Sequence, residues 1–127
     1  MCLSVVYSGR KEASELAKLP DMVTCWKVVR KNGNQHGTRY HPEFDYQRHC
    51  FLSGWNETIP QIIYRYKIAF HAFLTRDSAE QWKRSYRPLH IIKCKTKKKD
   101  IIAIGCQQNL TIVTKRIWIP KPKKQPA

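Results

Sequence analysis

The stretch that decides the fold is His90-Ile91-Ile92-Lys93-Cys94-Lys95-Thr96-Lys97, residues 90–97. Successive side chains of a β-strand point to opposite faces of a sheet. As a strand, this stretch places Ile92, Cys94 and Thr96 on one face, and the three lysines with Ile91 on the other. The alternation therefore predicts a strand with one buried side and one basic side.

Further strand and helix patterns flank this stretch. Strands are predicted at residues 5–7, 22–30, 61–74 (as one strand or two), 89–96, 100–106 and 110–119. Helices are predicted at residues 11–19 and from Thr75 or Asp77 to a point before Pro88. The patterns predict an α+β fold, with a curved, mostly antiparallel sheet of about five to six strands and one or two short helices.

Residues 35–60 lack a regular pattern but are rich in aromatic side chains. A loop of this length is unusual in a small domain. We expect it either to be pinned to the core or to form a recognition surface.

The chain has 127 residues, which suits a single globular domain over residues 1–119. Residues 120–127, rich in Pro and Lys, are expected to form an extended basic tail. No apolar run approaches the roughly 18 residues that a spanning helix needs, so no membrane partner is expected. The five cysteines are an odd number spread along the chain, which argues against a disulfide framework and favours a reducing, cytoplasmic location in the interior of a host cell.

The charge of the chain is unevenly distributed. The formal net charge is +15. Residues 1–80 hold 11 basic and 8 acidic side chains, whereas residues 81–127 hold 13 basic side chains and a single acid, Asp100. Such asymmetry is typical of proteins that bind nucleic acid or another anionic surface.

Most of the candidate phosphate-binding residues lie in this basic segment, and two precede it. They are Lys93, Lys95, Lys97, Lys98, Lys99, Lys115, Arg116, Lys121, Lys123 and Lys124, with Arg65 and Lys67. Lysine and arginine bind phosphate irrespective of base sequence, so DNA and RNA are equally compatible with this set. The alternative is a solvated lysine face of the kind that protects edge strands.

Aromatic residues supply candidates for stacking on bases or for contact with a partner. Trp55, in the irregular segment, and Tyr66, in the alternating run Tyr64-Arg65-Tyr66-Lys67, are the two candidates. That run equally suits a two-sided strand with core tyrosines. The remaining tryptophans, Trp26, Trp82 and Trp118, are predicted to lie in the core.

An enzymatic alternative rests on Cys2 or His71. Removal of Met1 would expose an N-terminal cysteine whose own amine could act as the base for its thiol. The sequence around His71 indicates no partner for a general base, and a core imidazole is its default interpretation. The histidines and cysteines also lack the close pairs typical of structural zinc sites, so neither a metal nor another cofactor is predicted.

Several short motifs resemble small proteins of bacteriophages and mobile elements. They are the start Met1-Cys2-Leu3-Ser4-Val5-Val6-Tyr7-Ser8-Gly9, Trp26-Lys27-Val28-Val29, Phe70-His71-Ala72-Phe73 with the following helix, and Asp100-Ile101-Ile102-Ala103-Ile104-Gly105. The resemblance implies an accessory role in the host cell, including anti-CRISPR or other anti-defence inhibition.

Taken together, these features predict a non-enzymatic basic protein that binds nucleic acid or a nucleoprotein complex, such as a phage-encoded inhibitor of a host nuclease or defence system. A small enzyme using Cys2 or His71 is the alternative. A third hypothesis is an inhibitor that buries the aromatic segment against an acidic protein surface.

Overall fold

The computed structural model describes residues 3, 5–32, 39–42, 51–62, 67–83 and 90–121. The strands are β1 (Val5–Val6), β2 (Met22–Asn32), β3 (Arg39–Pro42), β4 (Gly54–Glu57), β5 (Gln61–Ile62), β6 (Lys67–Ile68), β7 (Phe70–Phe73), β8 (His90–Lys97), β9 (Ile101–Gln107), β10 (Asn109–Thr114) and β11 (Arg116–Ile119). The helices are α1 (Gly9–Ala17) and α2 (Arg76–Lys83), and a 3-10 turn covers Lys98–Asp100. Neither helix in this part of the chain is long and apolar enough to cross a membrane.

Most of the strands belong to one antiparallel sheet. Eight follow the order β1-β9-β10-β7-β2-β8-β11-β4, and β3 pairs with the end of β2. The longest pairing joins β2 to β8, from Val29 opposite His90 to Met22 opposite Lys97. β5 and β6 form a separate two-stranded ribbon.

The connections require the sheet to fold over on itself. Only Lys115 separates β10 from β11, yet these strands are third and seventh in the sheet order. In a flat sheet they would lie about 19 Å apart, at about 4.8 Å per strand, whereas a single intervening residue spans less than about 8 Å. The short turn between β8 and β9 makes a similar crossing. As a result, Ile104 and Ile112 from one end of the sheet share a buried core with Ile117 from the other.

Hydrogen bonds between buried threonines hold the corner where these strands cross. The Thr96 and Thr114 hydroxyls lie 2.7 Å apart, and each is within hydrogen-bond distance of the Arg116 carbonyl, at 2.7 and 3.0 Å. The Thr114 hydroxyl is also 3.1 Å from the Asp100 carbonyl, which accepts the Lys115 amide at the same distance. The corner thus keeps its polar groups paired although both threonines are fully buried.

Helix α2 covers one part of the outer face of the sheet. Ala79 and Trp82 of α2 pack against Val28 of β2 and Phe73 of β7, with Ile91 of β8 at the margin. The Thr75 hydroxyl accepts the Ser78 amide at 3.1 Å, so of the two predicted starts, Thr75 and Asp77, Thr75 caps this helix. The site described below lies on the remaining part of β8.

A second cover lies over β9 and β10, where Leu3 and Ala69 pack against Ala103 and Val113. Nearby, β1 approaches β9 so closely that a Cβ at Gly105 would collide with the Val5 carbonyl oxygen. Glycine is therefore required at this position for β1 to pair.

The predicted fold class is wrong in its strand number, because the sheet is larger than five to six strands. The predicted strand 110–119 is divided at Lys115, and the segment predicted to be irregular contains β3 and β4. Alternation along a chain does not reveal a corner, and strands of four residues carry too short a pattern to recognise. The antiparallel pairing and the two helices were predicted, the first helix about two residues late. Of the predicted tail, 122–127 lie outside the described residues.

Candidate functional site

Strand β8 has the two faces that its sequence predicts. Ile92, Cys94 and Thr96 are buried, whereas Lys93 and Lys95 are exposed. Lys97 is half-buried. Strand β8 lies between β2 and β11 inside the sheet, so its lysines occupy the middle of a surface rather than its edge.

The neighbouring strands place tryptophans beside these lysines. Lys95 is opposite Trp118 of β11, and Trp118 is opposite Trp55 of β4. On the other side, Lys95 is opposite Thr24 of β2. A row of outward side chains thus crosses four strands, with two adjacent indoles at one end.

Local structure around β4 sets the position of Trp55. Gly54 has a φ of +94°, a conformation that side chains disfavour, and it begins the strand. The Asn56 side chain accepts the Leu52 amide at 2.9 Å and donates to the Leu52 carbonyl at 2.8 Å, which fixes the turn. Phe51, buried edge-on against Phe70, anchors the same segment to the core. The aromatic segment is therefore pinned at Phe51 and leaves Trp55 37% exposed.

Cations approach both indoles. The Lys95 amine lies 4.8 Å from the centre of the Trp118 ring. The Arg116 guanidinium carbon and the Lys97 amine lie 5.0 and 5.8 Å from the centre of the Trp55 ring. These distances are within the range of cation–π attraction.

We call this surface the basic-aromatic face, and its members are Lys93, Lys95, Lys97, Arg116, Trp118 and Trp55. Glu57 is the only acid in the sequences of β2, β4, β8 and β11, and its Oε1 forms an ion pair with Arg116 Nε at 2.8 Å. The face therefore keeps a net positive charge. A cleft of about 240 Å³ adjoins it, lined by Asp21, Met22 and residues 97–99.

The other predicted phosphate-binding residues are dispersed. The Lys98 amine donates to the Leu19 carbonyl at 3.2 Å, so it is partly committed to the fold. Lys99, Lys115 and Lys121 are exposed, and Lys67 lies on β6. Arg65, Tyr66, Lys123 and Lys124 lie outside the described residues.

The prediction that three tryptophans lie in the core holds fully for Trp82 alone. Trp82, on the side of α2 that packs against the sheet, is 8% exposed. Trp26 is half-buried and packs against the cluster that contains Trp82. Trp118 points outward on β11, between the buried residues Ile117 and Ile119. Sequence reasoning missed it although the alternation Arg116-Ile117-Trp118-Ile119 carries the signal.

Of the two residues of the enzymatic alternative, the structure describes His71, which lies in the core. His71 is 1% exposed, its Nδ1 is 3.1 Å from the Ala69 carbonyl, and its own carbonyl accepts the Lys27 amine at 2.6 Å. Cys2 lies outside the described residues. Among the residues described, there is no group of three His, Cys, Asp or Glu side chains that could hold a metal ion.

The cysteines on β2 and β8 are core residues. Cys25 and Cys94 are opposite one another, fully buried and present as free thiols. Burial raises the pKa of Cys94 to about 12 and raises that of Cys25 further. Such thiols are inert at neutral pH, because the thiolate is the reactive form.

Comparison with protein families, with curated proteins and with solved structures gave no match to this chain.

Proposed function

We propose that the protein is a non-enzymatic nucleic-acid-binding protein and that the basic-aromatic face is its binding surface. The observation that carries the proposal is the interleaving of cations with two outward tryptophans across β8, β11 and β4. Cations neutralise phosphate, and indoles stack on bases. The combination supplies both contacts on one surface.

The position of the lysines argues against a role in solubility alone. Lysines that prevent aggregation are found on edge strands, where unpaired backbone groups invite another chain. Strand β8 is paired on both sides, so Lys93, Lys95 and Lys97 protect no edge. The net charge of +15 also exceeds the range of about 2 to 8 that keeps a small domain soluble.

Such a protein would act inside the cell, where the nucleic acid is found and where Cys25 and Cys94 stay reduced. A target that is a nucleoprotein complex, as the phage-like motifs imply, fits the same surface, because guide or target strands present the same phosphates.

Charge reversal tests the proposal. The triple variant Lys93→Glu, Lys95→Glu, Lys97→Glu is expected to abolish binding to labelled oligonucleotides measured by fluorescence anisotropy. For the unchanged protein, about five phosphate contacts predict a slope of about −4 to −5 for log K against log salt with duplex DNA. The purified protein is also expected to carry nucleic acid, visible as a raised 260-to-280 nm absorbance ratio that falls after a high-salt wash.

A matched control separates this face from net charge. The variant Arg10→Glu, Lys11→Glu, Lys18→Glu makes the same change of net charge at exposed positions on and beside α1, none of which belongs to the basic-aromatic face. It is expected to retain most of the affinity. Equal losses in the two triple variants, or full binding by a folded β8 variant, would contradict the proposal. Binding of the wild type to an acidic protein but to no oligonucleotide would favour the protein-directed alternative.

A further inference from the structure

The geometry of the basic-aromatic face points to a narrower ligand class. We propose that it binds single-stranded rather than double-stranded nucleic acid, with bases stacked on Trp118 and Trp55 and phosphates held by the lysines of β8. This inference rests on the proposed function and deepens it.

The two indoles are cross-strand neighbours, and in this proposal they form the stacking platform. Trp118 and Trp55 are directly opposite one another on β11 and β4. Opposed residues of an antiparallel pair have Cβ atoms about 5 Å apart. Neighbouring bases of one strand can therefore contact neighbouring rings.

The cations around the platform differ in how firmly they are held. Arg116 lies between the Glu57 carboxylate, at 2.8 Å, and the Trp55 ring, at 5.0 Å. We assign it the role of a positioning residue for Trp55. Lys95 and Lys97 lie over the rings on flexible side chains, so their amines can move to phosphates when bases arrive.

The stacking contacts of the two indoles disfavour duplex, because stacking on an indole requires an unpaired base. On a duplex the face could contact phosphates only, because the faces of paired bases are stacked inside the helix. A single strand exposes those faces, so the tryptophans contribute only to single-strand binding.

The experiment compares tryptophan variants on two ligands. Affinities of the wild type, Trp55→Ala and Trp118→Ala are measured with a labelled oligothymidylate and with a duplex hairpin at one salt concentration. Each substitution is expected to weaken single-strand binding about 5- to 150-fold, which corresponds to 1–3 kcal/mol of stacking. Duplex binding is expected to change less than twofold.

Conservative variants guard against misfolding, because Trp118 is half-buried. Trp55→Phe and Trp118→Phe are expected to retain most of the single-strand affinity and to reduce the quenching of tryptophan fluorescence that stacking causes. Ile59→Ala, at an apolar position that is 83% exposed near β4, is expected to change neither affinity.

The outcomes distinguish the two proposals. Equal affinity for single strand and duplex, with Trp55→Ala and a folded Trp118→Ala altering neither, overturns the single-strand inference and leaves the proposed function standing. Equal loss on both ligands in folded variants also overturns the inference. Failure of the wild type to bind either ligand overturns the proposed function itself.

Discussion

The outer side of β8 has two halves that differ in what covers them. Near one end, Ile91 packs at the margin of the cluster that contains Trp82 of α2. Towards the other end, Lys93 and Lys95 are exposed, and Trp55 of β4, two strands away, is 37% exposed. Where α2 packs against the sheet its tryptophan is buried, and where no helix packs the tryptophan of β4 stays accessible.

The largest expected effect tests the covered half. Trp82→Ala removes a buried indole that packs 6.1 Å from the Phe73 ring, and it is expected to destabilise the protein by about 3–5 kcal/mol. Trp55→Ala removes a more exposed ring and is expected to cost about 1 kcal/mol or less, mainly its cation–π contacts. Denaturant unfolding followed by circular dichroism measures both.

If Trp82→Ala is too unstable to purify, Trp82→Phe is expected to give a smaller fall in melting temperature. Equal destabilisation by the Trp82 and Trp55 alanine variants would show that the two halves are energetically alike.

A second prediction concerns the inner side of β2 and β8, where two buried thiols make the stability of the protein depend on pH. Because burial raises the pKa values of Cys25 and Cys94, both thiols stay protonated in the folded protein at pH values where unfolded thiols, with pKa values near 8.5, ionise. Above that pH the unfolded state holds fewer protons. The free energy of unfolding is therefore expected to fall by about 1.4 kcal/mol per pH unit per thiol up to about pH 12.

Unfolding measured between pH 7.5 and pH 10 checks this. The double variant Cys25→Ala, Cys94→Ala is expected to lose the decrease of the free energy of unfolding with pH that the two thiols cause. Thr24→Ala, on the outer side of β2, is expected to keep this decrease. An unchanged slope in the double variant would mean that the thiols are not the cause.

The smallest expected effect concerns the ion pair within the basic-aromatic face. Glu57→Gln removes an acid that is 68% exposed and is expected to change stability by no more than about 1 kcal/mol. It is expected to raise oligonucleotide affinity by at most about fivefold.

The control is Glu80→Gln, which makes the same charge change on α2, where Glu80 Oε1 lies 3.9 Å from Arg76 Nε. A similar gain in both variants would indicate a long-range charge effect and no special role for the face.

Much of the local structure was predictable from the sequence. The two faces of β8 follow from its alternation, and the start of α2 follows from the capping residue Thr75. Strand β4 was not predictable, because four residues, Gly54-Trp55-Asn56-Glu57, form a strand only through pairing with β11. The core position predicted for Trp118 is wrong, because the alternation Ile117-Trp118-Ile119 places the two isoleucines and not the indole on the buried face.

What the sequence by itself determined is the period-two arrangement of lysines and the concentration of positive charge after residue 80, since both are properties of neighbours along the chain. The tertiary structure decided which of those cations lie beside a tryptophan ring. The corner at Lys115 moves β11 away from β10 and places it between β8 and β4, so that Lys95, Trp118 and Trp55 fall in one row. Pairing between distant strands depends on the packing of a shared core, and no local pattern encodes it.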